Sequence, residues 1–191
     1  MYEKNKDETI HVFIDTETTG LGHKDKYEIR EDAVVEVGIA YMVNNKEPFS
    51  KSWLCQPDSR FLEGNRADKA LEVSGLSYRT IYSAPRDYVI AQMVRNELYA
   101  LGNVVLHAYN IDFDKPFLEK EPWHFDFEWG DDPMLMAKEV LHEEQWLSLV
   151  KAMERLNIIR HGKSHSAGSD ADGAMRVYYA CLKKMEEDNN E

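Results

Sequence analysis

The order of strand-like and helix-like segments constrains this chain most. HVFID (11–15) is a short apolar run that reads as a buried strand. AVVEVGIAYMV (33–43) is apolar and β-branched and predicts a second strand, reached through a charged, polar connection over 22–32. Asn44-Asn45 signals a turn, so EPFSKSWLC (47–55) closes a hairpin as a third strand. Residues 56–66 read as a loop. The period then changes. ADKALEVSGL (67–76) predicts a short helix stopped near Gly75. PRDYVIAQMVRNELYAL (85–101) predicts a longer one, with Pro85 in its first turn and Val89, Met93, Leu98 and Leu101 as an approximately helical stripe. NVVLHAY (103–109) reads as a strand, DFDKPFLEK (112–120) as a helix, and HFDFEW (124–129) alternates like a strand. Residues 133–141, 148–158 and 169–187 read as helices. Three strands in a meander, then alternating strands and helices, predict an α/β domain with a mixed sheet.

Active sites of such sheets gather outside the carboxyl ends of strands. There the chain places Asp15 and, two residues on, Glu17, before Thr18-Thr19-Gly20 breaks the pattern. Positions i and i+2 of an extended segment point the same way, so the two carboxylates repel unless a cation sits between them. Hard oxygen donors of this kind suit Mg²⁺ or Mn²⁺. The plainer alternative is a solvated pair, or Asp15 as a turn acceptor. A second station lies in HAYNIDFDKPFL (107–118), where Asp112 and Asp114 follow a strand and open a helix. The plainer alternative is that one of them simply caps that helix, and spacing does not choose between them. The third is HSAGSDADGAM (165–175). Gly162 and Gly168 point to an irregular, mobile loop, Ser169 to an N-cap, and Asp170 and Asp172 to a positive helix N-terminus. His165 is then a loop residue whose neutral imidazole can take a proton from an attacking water. A lone surface histidine is the bland alternative. Together the stations supply what a two-metal phosphodiester hydrolase needs, with ions roughly 3.5–4 Å apart serving the attacking and leaving oxygens.

Composition bounds the partners. The net charge of −12 argues against a basic nucleic-acid coat but not against an enzyme that meets a few phosphates through cations. Cys55 and Cys181 form neither a disulfide framework nor a zinc spacing and read as reduced thiols. No stretch approaches the roughly 20 apolar residues of a membrane span, and MYEKNKDETI lacks a signal core. The expectation is a cytoplasmic protein with a single domain over 10–185, a disordered segment 1–9, and a disordered acidic tail over 186–191.

FIDTETTG, AYNIDFDKPFL and HSAGSDA, in that order, resemble the three motifs of the DEDDh 3′–5′ exonucleases, a family that includes the proofreading epsilon subunit of bacterial DNA polymerase III, ribonuclease T and oligoribonuclease. The likeness spans roughly residues 11–180. It implies a ribonuclease H-like fold with a five-stranded mixed sheet flanked by helices. It implies that Asp15, Glu17, Asp114 and Asp170 hold two Mg²⁺ or Mn²⁺ ions and that His165 is the general base. It assigns Thr18, Thr19, Leu21, Asn110 and Phe113 to the substrate, and makes Asp172 a helix-start acid. The expected activity is release of nucleoside 5′-monophosphates from DNA 3′ ends, preferably single-stranded, with a separate polymerase or processivity factor as partner. An RNA-trimming enzyme and an inactive nucleic-acid-binding member are the alternatives. Ser74-Gly75-Leu76 and Tyr109-Asn110 depart from the family's usual His-Gly-Ile and His-Asn, away from the five catalytic positions.

Overall fold

A computed structural model describes residues 9–22, 32–43, 47–162 and 165–188. Five strands, β1 (Thr9–Thr18), β2 (Val34–Tyr41), β3 (Phe49–Leu54), β4 (Asn103–His107) and β5 (Glu128–Trp129), form one sheet in the order β3-β2-β1-β4-β5. β2 runs antiparallel to β1 and β3, whereas β4 is parallel to β1 and β5. The helices are α1 (Asn65–Ser74), α2 (Tyr78–Tyr82), α3 (Asp87–Leu101), α4 (Ile111–Leu118), α5 (Pro133–Val140), α6 (Leu149–Arg155) and α7 (Ala167–Asp188). This is the predicted mixed sheet flanked by helices.

Alternation along β1 divides the core. Ile10, Val12 and Ile14 pack with Ile90, Val94 and Leu98 of α3 and with Phe117 and Leu118 of α4. Phe13 belongs to a second cluster with Met136, Met153, Ala171, Met175 and Tyr178, drawn from α5, α6 and α7. Each fully buried side chain of this size contributes roughly 1.5–3 kcal/mol. The two layers therefore clamp β1 firmly enough to carry unfavourable charges at its end. A smaller cluster of Val35, Leu62, Leu71 and Ile81 fixes α1 and α2 near the same end.

The structure corrects several expectations. β1 is longer than HVFID: it opens at Thr9, inside the segment expected to be disordered, and runs on to Thr18. α7 continues through Asp188, into the segment expected as a tail. Residues 1–8 and 189–191, the turn at Asn44-Asn45 and most of the 22–32 connection lie outside the described residues. The loop predicted over 56–66 contains a 3₁₀ turn at Ser59–Leu62. α2 was not predicted; Ser77 caps it by accepting the Thr80 N–H. Only Glu128 and Trp129 of the 124–129 segment pair with β4, because Phe125 is spent on the core instead. Ser169 is not an N-cap: α7 begins at Ala167, and the Ser169 hydroxyl donates to the His161 carbonyl at 2.5 Å. Gly168 is likewise a helix residue rather than part of a loop. Cys55 and Cys181 are free, buried thiols. Among the described residues, no helix is long and apolar enough to cross a membrane.

Candidate active site

Phe13, Asp15 and Glu17 share one face of β1, opposite Ala40, Gly38 and Glu36 of β2. The register slips between Glu17 and Thr18, where the strand ends. Such an irregularity bends a strand and re-aims its side chains. α7 starts directly over this face. A Cβ on Gly38 would lie 2.1–2.3 Å from the Ala167 and Gly168 backbone, and one on Gly168 would press on Lys51 and Ser52 of β3. Two glycines thus let the helix begin on the sheet itself, which brings Asp170, in its first turn, to the end of β1.

Asp114 arrives from the first turn of α4 and is buried. The Thr16 hydroxyl donates to its carboxylate at 2.7 Å. Asp112, the other acid in that segment, is exposed. The start of α4 is held by Asp132, which accepts the N–H groups of Asn110 and Ile111 at 3.1 and 2.9 Å and also caps α5 through the Met134 N–H at 2.8 Å. One carboxylate therefore fixes the starts of two helices. Asn110 itself takes a left-handed conformation at the turn into α4.

His165 precedes α7 with a φ of 57°, and its backbone N–H donates to Asp170 Oδ2 at 3.1 Å. Glu17, His165 and Asp170 each offer a ligand atom within 4.8 Å of the others. The guanidinium of Arg160, on the connection between α6 and α7, forms an ion pair with Asp170 Oδ1.

The carboxylates pay for their placement in acidity. Burial, then the charges of Asp114, Glu17 and Glu36, push Asp15 well above the usual carboxylate range, while Arg160 pulls it back. Glu17 is pushed up to about 7 by burial, then by Glu36 and Asp114. Burial raises Asp114 to about 7 against the opposing hydrogen bond from Thr16. Glu36, itself buried, accepts a hydrogen bond from Ser52 at 2.5 Å. Clustered carboxylates that resist ionisation are what a bound divalent cation would relieve. The four carboxylates are hard oxygen donors, and they fit Mg²⁺ or Mn²⁺.

Beside the carboxylates, a cavity of about 370 Å³ opens between the end of β1 and α1. Thr18, Leu21 and Phe113 line it together with Glu17, and Arg66 and Lys69 of α1 stand at its wall. Leu21 is 78% exposed, so its side chain is accessible to a bound ring. The Thr18 hydroxyl donates to the Gly20 carbonyl at 2.6 Å. Thr19 is buried; its hydroxyl accepts the Ala33 N–H at 2.9 Å, tying the end of β1 to the start of β2.

Sequence reasoning did not single out Thr16, Glu36, Asp132 or Arg160. Asp132 had a readable signal, an acid immediately before the helix-starting Pro133. Thr16 lies between the two acids of β1, but only the fold shows that it reaches Asp114. Arg160 carried no local signal at all.

The family model described as exonuclease, of the RNase T type, matches residues 12–178, so the chain belongs to this exonuclease family. A Mycobacterium tuberculosis protein (strain CDC 1551 / Oshkosh) described as a bifunctional exonuclease/endonuclease is 24% identical over 183 residues, covering 93% of this chain and 27% of that protein. The chain thus spans about a quarter of that relative's length. Exonuclease X in complex with 5′-overhanging duplex DNA shares the fold at a TM-score of 0.63 and 20% identity, covering 93% of this chain and 92% of the other. Escherichia coli exonuclease I with a dT13 oligonucleotide superposes at 0.66 and 16%, over 93% and 41%. The Mg²⁺- and Mn²⁺-bound Pop2p of Schizosaccharomyces pombe superposes at 0.68 and 15%, over 88% and 81%.

Proposed function

We propose that the chain is a divalent-metal-dependent 3′–5′ exonuclease that removes terminal nucleotides from single-stranded DNA as nucleoside 5′-monophosphates. The observation that carries this reading is the convergence of Glu17, His165 and Asp170 beside the half-buried Asp15 and the buried Asp114. Family membership supports the reaction class, and the DNA held by exonuclease X and exonuclease I supports the choice of substrate.

Asp15, Glu17, Asp114 and Asp170 would hold two Mg²⁺ or Mn²⁺ ions. When bound, these supply Lewis-acid polarisation of the phosphate and neutralise developing charge. The chain's own residues do the rest. Thr18, Leu21 and Phe113 seat the terminal nucleotide in the cavity, Thr19 holds the shape of the β1 end, and Asn110 contacts the substrate from the start of α4. His165 takes one proton from the attacking water. The water oxygen bonds to phosphorus, and the bond from phosphorus to the 3′ oxygen of the preceding nucleotide breaks. That 3′ oxygen leaves and is protonated by solvent. His165 must then lose its proton before the next turnover, which the exposed position of the residue permits.

With a net charge of −12, distal phosphate contacts are few, so a separate polymerase or processivity factor supplies residence on DNA. The test is a digestion panel of single- and double-stranded DNA and RNA, with Mg²⁺ or EDTA, read by direction and product. Single-stranded DNA shortened from its 3′ end to 5′-monophosphates is expected. Faster trimming of RNA would reassign the substrate, and metal-dependent binding without shortening would make the chain a binding member of the family.

A further inference from the structure

Arg160 is a cation inside an acidic site that no motif accounts for. The connection between α6 and α7 leaves Ile159 77% exposed yet turns the Arg160 side chain inward, to 19% exposure. This inverts the usual placement of an apolar and a charged neighbour. Sequestering a guanidinium is unfavourable unless a carboxylate receives it. The backbone holds it there from both sides: the Ile158 N–H bonds to the Met153 carbonyl at 2.8 Å, and the His161 carbonyl accepts the Ser169 hydroxyl at 2.5 Å. Asp170 is consequently engaged at both oxygens, Oδ1 by Arg160 and Oδ2 by the His165 N–H. The charge of Arg160 also reaches Asp15, where it opposes the surrounding acids.

We propose that Arg160 is the site's internal counter-cation: it pairs with Asp170 in the metal-free protein, must leave Asp170 Oδ1 before a divalent ion can bind there, and thereby sets the metal affinity. The inference rests on the metal site of the proposed function and deepens it. Two cations cannot share one carboxylate oxygen at full strength, so guanidinium and metal compete. Removing the guanidinium has two opposite consequences. The metal-free protein loses compensation for its carboxylates, and the metal gains an unopposed ligand. An arginine that merely supported the fold would give the reverse for the metal, since a disordered site binds ions more weakly.

The experiment titrates Mn²⁺ into the full chain by calorimetry and measures melting temperature in EDTA, for wild type, Arg160→Gln, Arg160→Lys and Asp170→Asn. Arg160→Gln is expected to bind Mn²⁺ about tenfold more tightly than wild type, while melting at a lower temperature without metal. Arg160→Lys keeps the charge without the fork and is expected to fall between them. Should Arg160→Gln fail to fold without metal, Arg160→Lys carries the same comparison. Unchanged or weaker Mn²⁺ binding in the folded Arg160 variants overturns the proposal, provided wild type binds Mn²⁺ and Asp170→Asn loses it. If wild type binds no Mn²⁺, or Asp170→Asn binds it as well as wild type, the metal-site reading itself falls, and this proposal with it.

Discussion

Asp15 on β1 lies directly opposite Gly38 on β2, and the space a Gly38 side chain would fill holds the Ala167–Gly168 backbone of α7. A position with no side chain is thus what allows a carboxylate from one end of the sequence to meet one from the other. Gly38→Ala sets a methyl against backbone, which cannot rotate away, so α7 must lift from the sheet and carry Asp170 with it. Misplacement by about 1 Å can cost about 10²-fold in rate. We expect Gly38→Ala to lose activity by that order and to bind Mn²⁺ more weakly by calorimetry. Near wild-type values for both would mean that α7 has slack the structure does not suggest.

Thr16→Val removes the hydroxyl that donates to Asp114 while conserving shape. That hydrogen bond lowers the Asp114 pKa, so its loss raises it further above the usual range. Orienting partners of this kind are typically worth 10–100-fold in metal affinity. Metal affinity at pH 7 should fall within that range and recover partly at higher pH, where Asp114 ionises. A loss equal at all pH values would assign Thr16 to packing alone.

Acid–base linkage gives a prediction for the metal-free protein. Burial foremost, followed by neighbouring carboxylates, raises Glu17 to about 7, and burial raises Asp114 to about 7, above their unfolded values. A group raised in this way favours folding below its unfolded pKa, and that contribution is lost as pH rises through the folded value. Between about pH 4.5 and 7 these groups therefore become steadily less favourable to the fold in EDTA. His107 acts in the opposite sense: burial lowers its pKa, so its contribution is fully present above its unfolded value and lost on acidification. The comparison with Asp15→Asn separates the two. That variant should melt higher than wild type at pH 8 in EDTA and gain less from added Mg²⁺. Equal melting temperatures under both conditions would show that the carboxylates are not in conflict.

Asp132 touches no predicted metal ligand but accepts three backbone N–H groups. Asp132→Ala should cost about 1–2 kcal/mol, or roughly 2–4 °C per kcal/mol in melting temperature. Because α4 carries Asp114, activity should fall by more than the lost folded fraction explains. A stability loss with fully retained turnover would confine Asp132 to capping.

Much of this site was readable in advance because it is built from local patterns. The i, i+2 spacing of Asp15 and Glu17 on a strand places both on one face, whatever surrounds them. The acids near the starts of α4 and α7 likewise sit where elements change type. What escaped reading depends on contacts between distant segments. Thr16 reaches Asp114 only because β1 and β4 are neighbours, and Glu36 faces Glu17 only through the β1–β2 register. Arg160 becomes part of the site through a loop path with no periodicity. The overextended strand at 124–129 has a different cause: alternating aromatics signal one buried face, and Phe125 satisfies that in the core without a ladder partner.

The most direct test of the central claim is digestion of 5′-labelled single-stranded DNA by wild type and His165→Ala, each in Mg²⁺ and in EDTA. Wild type in Mg²⁺ should give a ladder shortened from the 3′ end with release of nucleoside 5′-monophosphates, and none in EDTA. His165→Ala, folded and still binding metal, should be slower by roughly 10²–10⁴-fold. Full activity in EDTA, or a wild-type rate in the folded variant, would contradict the account.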